Sequence, residues 1–142
     1  MKKGCVISAI IFLALAISAL GYCGYSMYEI ATKDMPLLRQ SADKFVEYYN
    51  SDNHLELHKM YDSICAASVT KEKCAEQNEK IKSITGTMKI TSQVNWSAQN
   101  NNGNKFVTVV YDCDGVKGKV ALTIKFHMED TWKIQGYNVS LK

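Results

Sequence analysis

The sequence of 142 residues lacks the short patterns that usually carry enzyme chemistry. It contains no glycine-rich phosphate loop, no nucleophile elbow and no pair of carboxylates at a spacing suited to acid–base catalysis. It also contains no closely spaced cysteine pair, which a zinc site built on cysteine would need. The sequence therefore indicates no metal and no cofactor.

The charged residues of either sign also form no long blocks. The chain has 17 Lys and Arg against 14 Asp and Glu, a formal charge of +3, and two of the lysines are Lys2 and Lys3. From Glu29 onward the balance is 15 to 14, and no basic cluster occurs. The sequence therefore excludes an electrostatic footprint for nucleic acid and gives no sign of anionic lipid recognition.

One long apolar stretch is present at the N-terminus. No charged residue occurs from Gly4 to Tyr28, and a helix of this length, at ~1.5 Å per residue, exceeds the ~30 Å hydrocarbon core of a bilayer. Lys2 and Lys3 predict a cytoplasmic N-terminus and export of the rest. We expect membrane contact through residues 4–28. The predicted organisation is a single-pass inner-membrane anchor over 1–30, a linker over 31–36 and a periplasmic domain over 37–142.

Three other fates of this stretch are alternatives to an anchor. A removed signal peptide would be cut after Ala19-Leu20-Gly21, although the apolar character continues to Met27. A lipoprotein would need a small residue before Cys23, where Tyr22 stands. A prepilin-like chain would be processed after Gly4, but it would normally carry a glutamate at the position of Ala9. We favour a retained anchor.

The exported part holds three cysteines, in a compartment where disulfides persist. Three cysteines allow three single pairings. We expect a bridge between Cys65 and Cys74 that staples a connection between two helices. Cys113 is expected to be free and buried.

Helical periodicity comes first in the exported part. Asp34 and Pro36 predict the start of a helix that ends near Asn50. A second, shorter helix is predicted with Leu57, Met60, Tyr61 and Ile64 on one side. A third should begin at a Thr70 cap and stop at Gly86. These segments predict three helices.

The period then changes from about 3.6 to about 2, which is typical of strands. The predicted strands cover Met88–Trp96, Phe106–Cys113, Val120–Met128 and Trp132–Val139. A polar loop is expected over 99–104. The sequence thus predicts an α+β domain in which three helices pack on one face of a curved, four-stranded antiparallel sheet.

This order resembles the nuclear-transport-factor-2-like (cystatin-like) superfamily, in particular its small membrane-anchored bacterial members of unknown function. The resemblance rests on Ala42–Val46 in the first helix, on Met60 and Tyr61, and on the ending Asp130–Tyr137. It covers essentially the whole chain and implies a cone-shaped half-barrel around the first helix. The superfamily includes isomerases, dehydratases, carriers and assembly modules, so the fold does not determine the function.

The resemblance directs attention to ionisable groups that could lie inside such a cone. On the third strand the apolar residues at every second position from Val120 to Met128 must face inward. His127 lies between two of them and is therefore expected to face outward as a solvated residue. Asp112 stands beside a turn, where acids commonly bind the backbone. Both remain minor candidates for a catalytic acid or base.

Two further groups are considered for binding. His54 and His58 share a helical face but lack a third ligand, so we expect surface residues. The aromatic residues could line a ligand cavity or form the core, and the candidates for a ligand pocket are Tyr49, Tyr61, Tyr111 and Trp132.

Three functions follow as hypotheses. The favoured one is a non-enzymatic binding or assembly module, with a protein partner or a second copy of the chain, and membership of a larger envelope complex is a special case of it. The first alternative is a small-molecule-binding or isomerase-like enzyme that uses the cone. The second is a pilin-like filament subunit processed after Gly4.

Overall fold

The computed structural model describes Ser18, Gly24 and residues 26–142. Within this part of the chain no helix has the length and the apolar character needed to cross a membrane. The predicted fold class, which begins with a transmembrane helix, is therefore corrected. Most of the stretch 4–28, including the proposed processing sites and Cys5 and Cys23, lies outside the described residues.

The domain is α+β, and its elements follow in a simple order. A π-helix covers Ile30–Asp34, so the stretch predicted as a linker is helical. Four α-helices follow: α1 (Met35–Asn50), α2 (His54–Lys59), α3 (Ser63–Ser68) and α4 (Lys71–Thr85). Four strands complete the chain: β1 (Met88–Asn101), β2 (Asn104–Gly115), β3 (Gly118–Met128) and β4 (Trp132–Leu141). The strands form one antiparallel sheet in the order β1-β2-β3-β4.

Residues 1–36 and 37–142 are two compact units, and the second contains the sheet. The core of the second unit includes one face of α1. Its buried residues recur at helical spacing: Leu38, Ala42, Phe45, Val46 and Tyr49. Alternate residues of two central strands are also buried: Val107, Val109, Tyr111 and Cys113 on β2, and Val120, Leu122, Ile124 and Phe126 on β3. The helical period thus identifies the buried face of α1, and the period of two identifies that of β3, whereas on β2 the period alone does not tell which face is buried.

The prediction of three helices is wrong because the second predicted helix is broken at Met60–Asp62. There the chain pairs with the edge of β4: Ile134 donates its N–H to Met60 O, and Asp62 donates to Ile134 O, both at 2.8 Å. Tyr61 forms the resulting parallel bridge with Ile134. The side chain of Asp62 then caps α3 by accepting from Cys65 N at 2.7 Å. Ile64, predicted to share one side of a helix with Leu57 and Tyr61, is 62% exposed, whereas those two residues are buried.

Local signals at the ends of α4 are confirmed. Thr70 accepts a hydrogen bond from Lys73 N, and Gly86 ends the helix with a φ of +71°. Its amide donates to Lys82 O at 2.8 Å. A left-handed residue at this place closes the last turn, which favours glycine.

Strand β1 differs most from its prediction. It continues to Asn101, and only the pair Asn102-Gly103 forms the turn, with φ of +52° and +86°. The pairing register with β2 shifts between Ile90 and Ser92 and again between Gln93 and Asn95. Because each shift changes the side that a residue faces, the expected half-buried alternation stops after Ile90, and Val94 is exposed.

Candidate functional site

Three ionisable side chains of the described residues come together where the start of α3 meets the end of β3 and the β3–β4 turn. They are Asp62, His127 and Glu129, whose potential ligand atoms lie within 4.8 Å of one another. His127 Nδ1 is 3.0 Å from Asp62 Oδ2 and 4.0 Å from Glu129 Oε1. Asp62 is fully buried and His127 is 7% exposed. The geometry is that of a buried Asp–His pair with a second carboxylate nearby.

Each carboxylate is also bound by the start of α3. Asp62 Oδ1 accepts from Cys65 N, as described above. Glu129 Oε1 accepts from Ser63 N at 3.0 Å and from the Ser63 hydroxyl at 2.6 Å, and these bonds lower the pKa of Glu129. The cluster therefore fastens α3 to the end of the sheet with hydrogen bonds from the protein itself.

The imidazole of His127 is enclosed on its other sides. The Phe106 ring stacks on it at 4.6 Å between centroids, and Nε2 is buried without a hydrogen-bond partner among the described residues. If Nδ1–H donates to Asp62, the orphan Nε2 is an acceptor. A buried Asp–His pair of this kind can act as a base where substrate reaches Nε2, but here the protein covers that atom.

The prediction that His127 is a solvated residue is therefore wrong. Its side chain does point away from the apolar residues of β3, as expected from the alternation. It is nevertheless buried, because Asp62 and Phe106 cover that side of the strand. The other minor candidate, Asp112, is half-buried and pairs with Lys142, so it is engaged in an ion pair near the end of the chain.

The donor atoms of the cluster do not suit a metal ion. A histidine that ligates through one nitrogen usually donates the N–H of the other to an acceptor. Here Nε2 has no partner, so coordination through Nδ1 would leave a buried N–H unsatisfied. The arrangement favours a hydrogen-bonded tie over a metal centre.

A second feature includes Met60, at the start of the Met60–Asp62 segment. It is a surface groove of about 240 Å³ between α1, α2 and the first residues of β4. We call it the groove; it is lined by Ser41, Lys44, Tyr48, Glu56, Lys59, Met60, Trp132, Lys133 and Ile134. Three lysines stand against one glutamate, and two aromatic rings contribute apolar surface.

The polar contacts within the groove leave it basic. Lys59 pairs with Glu56 at 2.6 Å, and Lys133 Nζ donates to Lys59 O at 3.3 Å. Lys44 is exposed at the rim. Because the single acid is already neutralised by Lys59, the groove attracts negative charge through Lys44 and Lys133.

Comparisons with known proteins add no identity. Neither the models of known protein families nor the curated proteins match this chain. The resemblance to the nuclear-transport-factor-2-like superfamily therefore stays a prediction.

The aromatic residues predicted to line a ligand pocket separate into two groups. Tyr49, Tyr61 and Tyr111 are buried in the core, with exposures of 5% or less. Trp132 is half-buried and lines the groove. Tyr49 bonds Thr85 Oγ1 at 3.0 Å, whereas the Tyr111 hydroxyl is buried without a hydrogen-bond partner in the described part of the chain. Of the four candidates, Trp132 thus lies where a ligand can reach it.

The predicted Cys65–Cys74 disulfide is wrong: both thiols are free. Cys74 is buried on α4, where its sulfur meets the Tyr61 hydroxyl at 3.3 Å and the Asn78 amide at 3.5 Å. Its side chain is thus committed to a buried polar network that continues from Asn78 to the Tyr137 hydroxyl at 2.6 Å. Burial raises the pKa of Cys65. Cys113 is free and buried, as predicted, and burial raises its pKa to about 11.

The two predicted surface histidines are both half-buried. His58 Nε2 lies 2.6 Å from Val69 O, and its ring packs beside Tyr61. His54 is close in sequence but forms no hydrogen bond through Nδ1 within the described structure. His58 thus links α2 to the residue that follows α3.

Two residues of the cluster were missed in the sequence. Asp62 precedes Ser63 and Ile64, and an acid before a helical segment is an N-cap signal. That signal was hidden because the second helix was predicted to run through it. Glu129 lies between two predicted strands, and nothing local indicates that it binds Ser63, which is 66 residues away.

Proposed function

We propose that the domain is a non-enzymatic binding module whose binding surface is the groove. The observation that carries this proposal is the groove's combination of small size, two aromatic rings in its lining and an excess of lysine over acidic residues. Small-molecule sites usually enclose ~300–1,000 Å³. A groove of about 240 Å³ instead suits one or two side chains of a protein partner.

The residues of the groove also indicate the chemistry of that partner. Trp132 and Tyr48 present ring surface to an apolar or aromatic anchor, and such rings are enriched in binding hot spots. Lys44 and Lys133 favour acidic residues beside that anchor. The proposed ligand is therefore an acidic protein segment with one bulky apolar side chain.

The enzyme alternative has weaker support. The aromatic residues expected around an internal pocket fill the core instead, and His127 is covered by Phe106 and Asp62. Within the described residues, the acid–base pair is thus separated from solvent. The location of the domain on the outer side of an inner membrane also stays a prediction.

The test is a selection of displayed random peptides on the full-length protein, with measurement of the selected peptides by fluorescence polarisation. We expect acidic sequences with one large apolar residue. Lys44→Glu should weaken their binding at least tenfold, because it reverses an exposed rim charge without disturbing the core.

Lys105→Glu is the matched control, because Lys105 is an exposed lysine on β2 outside the groove. Its binding should equal that of the unmodified chain. Equal losses in both variants would show unspecific charge attraction and refute the groove as the site. Selected peptides that bind Lys44→Glu normally would refute it as well.

A further inference from the structure

Strand β1 forms an edge of the sheet, because it pairs with β2 and with no other strand among the described residues. We propose that this edge is a self-association site. Residues 97–101 pair antiparallel with the same residues of a second copy. The twofold axis passes at Gln99, and two four-stranded sheets become one continuous sheet.

The turn Asn102-Gly103 determines which backbone groups of β1 are available. The residues that flank a two-residue turn, here Asn101 and Asn104, exchange hydrogen bonds with each other, and the pattern alternates along an antiparallel pair. The pairing is regular from Asn95 to Asn101. Ala98 and Asn100 therefore direct their N–H and C=O groups away from β2.

Trp96 belongs to the same outward series but is already engaged. Its N–H takes no part in the β2 ladder and instead donates to Asn95 Oδ1 at 2.8 Å. The Trp96 carbonyl lies before residues 97–101, so the outward groups within the proposed contact are those of Ala98 and Asn100. A register that pairs Ala98 with the second copy's Asn100, and the reverse, uses all of them and puts Gln99 opposite itself.

The edge lacks the usual protection against pairing. Natural edge strands are commonly guarded by charged residues, proline or bulges. No charged residue or proline occurs between Lys89 and Lys105, and both register shifts precede Asn95. Residues 99–101 are exposed, so a partner strand can approach them.

The absence of charge also selects a second copy as the occupant. An antiparallel twofold pairing places each residue opposite one from the same short segment, so any charge at Gln99 would meet its own copy. The segment is uncharged, and its side chains are serine, alanine and amides. Amides can donate and accept, so they pair with themselves without repulsion.

The contact is small compared with the ~800 Å² per partner of a standard interface. We therefore expect a weak, reversible dimer. Because the two copies use the same surface, the assembly closes at two.

The test is sedimentation velocity of the full-length chain across a wide concentration range, in mild detergent and with a reducing agent. The native chain should show a monomer–dimer equilibrium. Gln99→Lys and Gln99→Glu should each raise the dissociation constant about fivefold, since like charges then face each other across the strands. An equimolar mixture of the two variants should restore association, because lysine then faces glutamate.

Gln93→Lys and Gln93→Glu are the matched controls: Gln93 is exposed on the same strand but precedes the second register shift. They should dimerise like the native chain. Ala98→Pro removes an outward N–H and should weaken association about tenfold. Monomers throughout, a dimer indifferent to charge at Gln99, equal losses in the Gln93 variants, or a mixture that stays monomeric would each overturn the proposal.

Discussion

Replacement of Asp62 by alanine should destabilise the domain by about 2–4 kcal/mol. The side chain is fully buried and serves two groups, the Cys65 amide at 2.7 Å and His127 Nδ1 at 3.0 Å. Loss of an N-cap costs about 1 kcal/mol. A buried donor left without a partner costs a further ~1–3 kcal/mol. Glu129 lies 4.0 Å from Nδ1, so any rescue by this carboxylate moves the result to the lower end.

The measurement is urea unfolding of the full-length chain at constant pH, followed by circular dichroism. Asp62→Asn keeps an oxygen for the Cys65 amide and should recover about 1 kcal/mol relative to alanine. Asp114→Ala is the matched control, because Asp114 forms an exposed ion pair with Lys119 and should cost at most ~1 kcal/mol. A loss for Asp62→Ala no greater than for Asp114→Ala would refute the reasoning.

The remaining predictions concern one strand end, the buried Tyr111 and the half-buried Tyr137. Gly115→Ala should cost ~1–3 kcal/mol, because its Cβ would stand 2.9 Å from Val120 Cγ2 and from a carbonyl oxygen. At Gly136 an added Cβ meets nothing within 4 Å among the described residues, so Gly136→Ala should be nearly neutral. Thermal unfolding of the two variants compares them. Burial raises the pKa of Tyr111 and Tyr137 to about 12, above the usual 10.0. The stability that this raised pKa contributes is complete below pH 10 and is lost as the pH rises toward 12. Phenylalanine at either position should therefore flatten the fall of the urea midpoint over this pH range. An unchanged slope of the midpoint against pH would contradict the prediction.

The features that could be predicted from the sequence depend on neighbours in the chain. Thr70 and Gly86 mark the ends of α4 because a capping hydroxyl and a left-handed glycine act within one helical turn. The alternation from Val120 to Phe126 identifies the buried face of β3 for a similar reason, since strand geometry alone sets its period.

The features that could not be predicted depend on distant contacts or on register. His127 meets Asp62 across 65 residues, and no local pattern shows that the outer side of β3 is covered there. On β1 the period of two is present in the sequence, but the shifts near Thr91 and Val94 change which residues face the core. The amide-rich stretch after Trp96 has the composition of a loop, yet the two-residue turn leaves it paired.

The short helix α3 has a consequence for how the domain opens. It covers Ser63–Ser68 and buries none of its residues. A helix of this length has little stability of its own, so its attachment depends on the polar bonds made by Asp62 and Glu129 at its first turn. Such a segment can detach while the sheet stays intact, and its amides then exchange with solvent by a local event. Cys65, carried by this helix, is consequently the cysteine of the domain whose reactivity reports on that local opening.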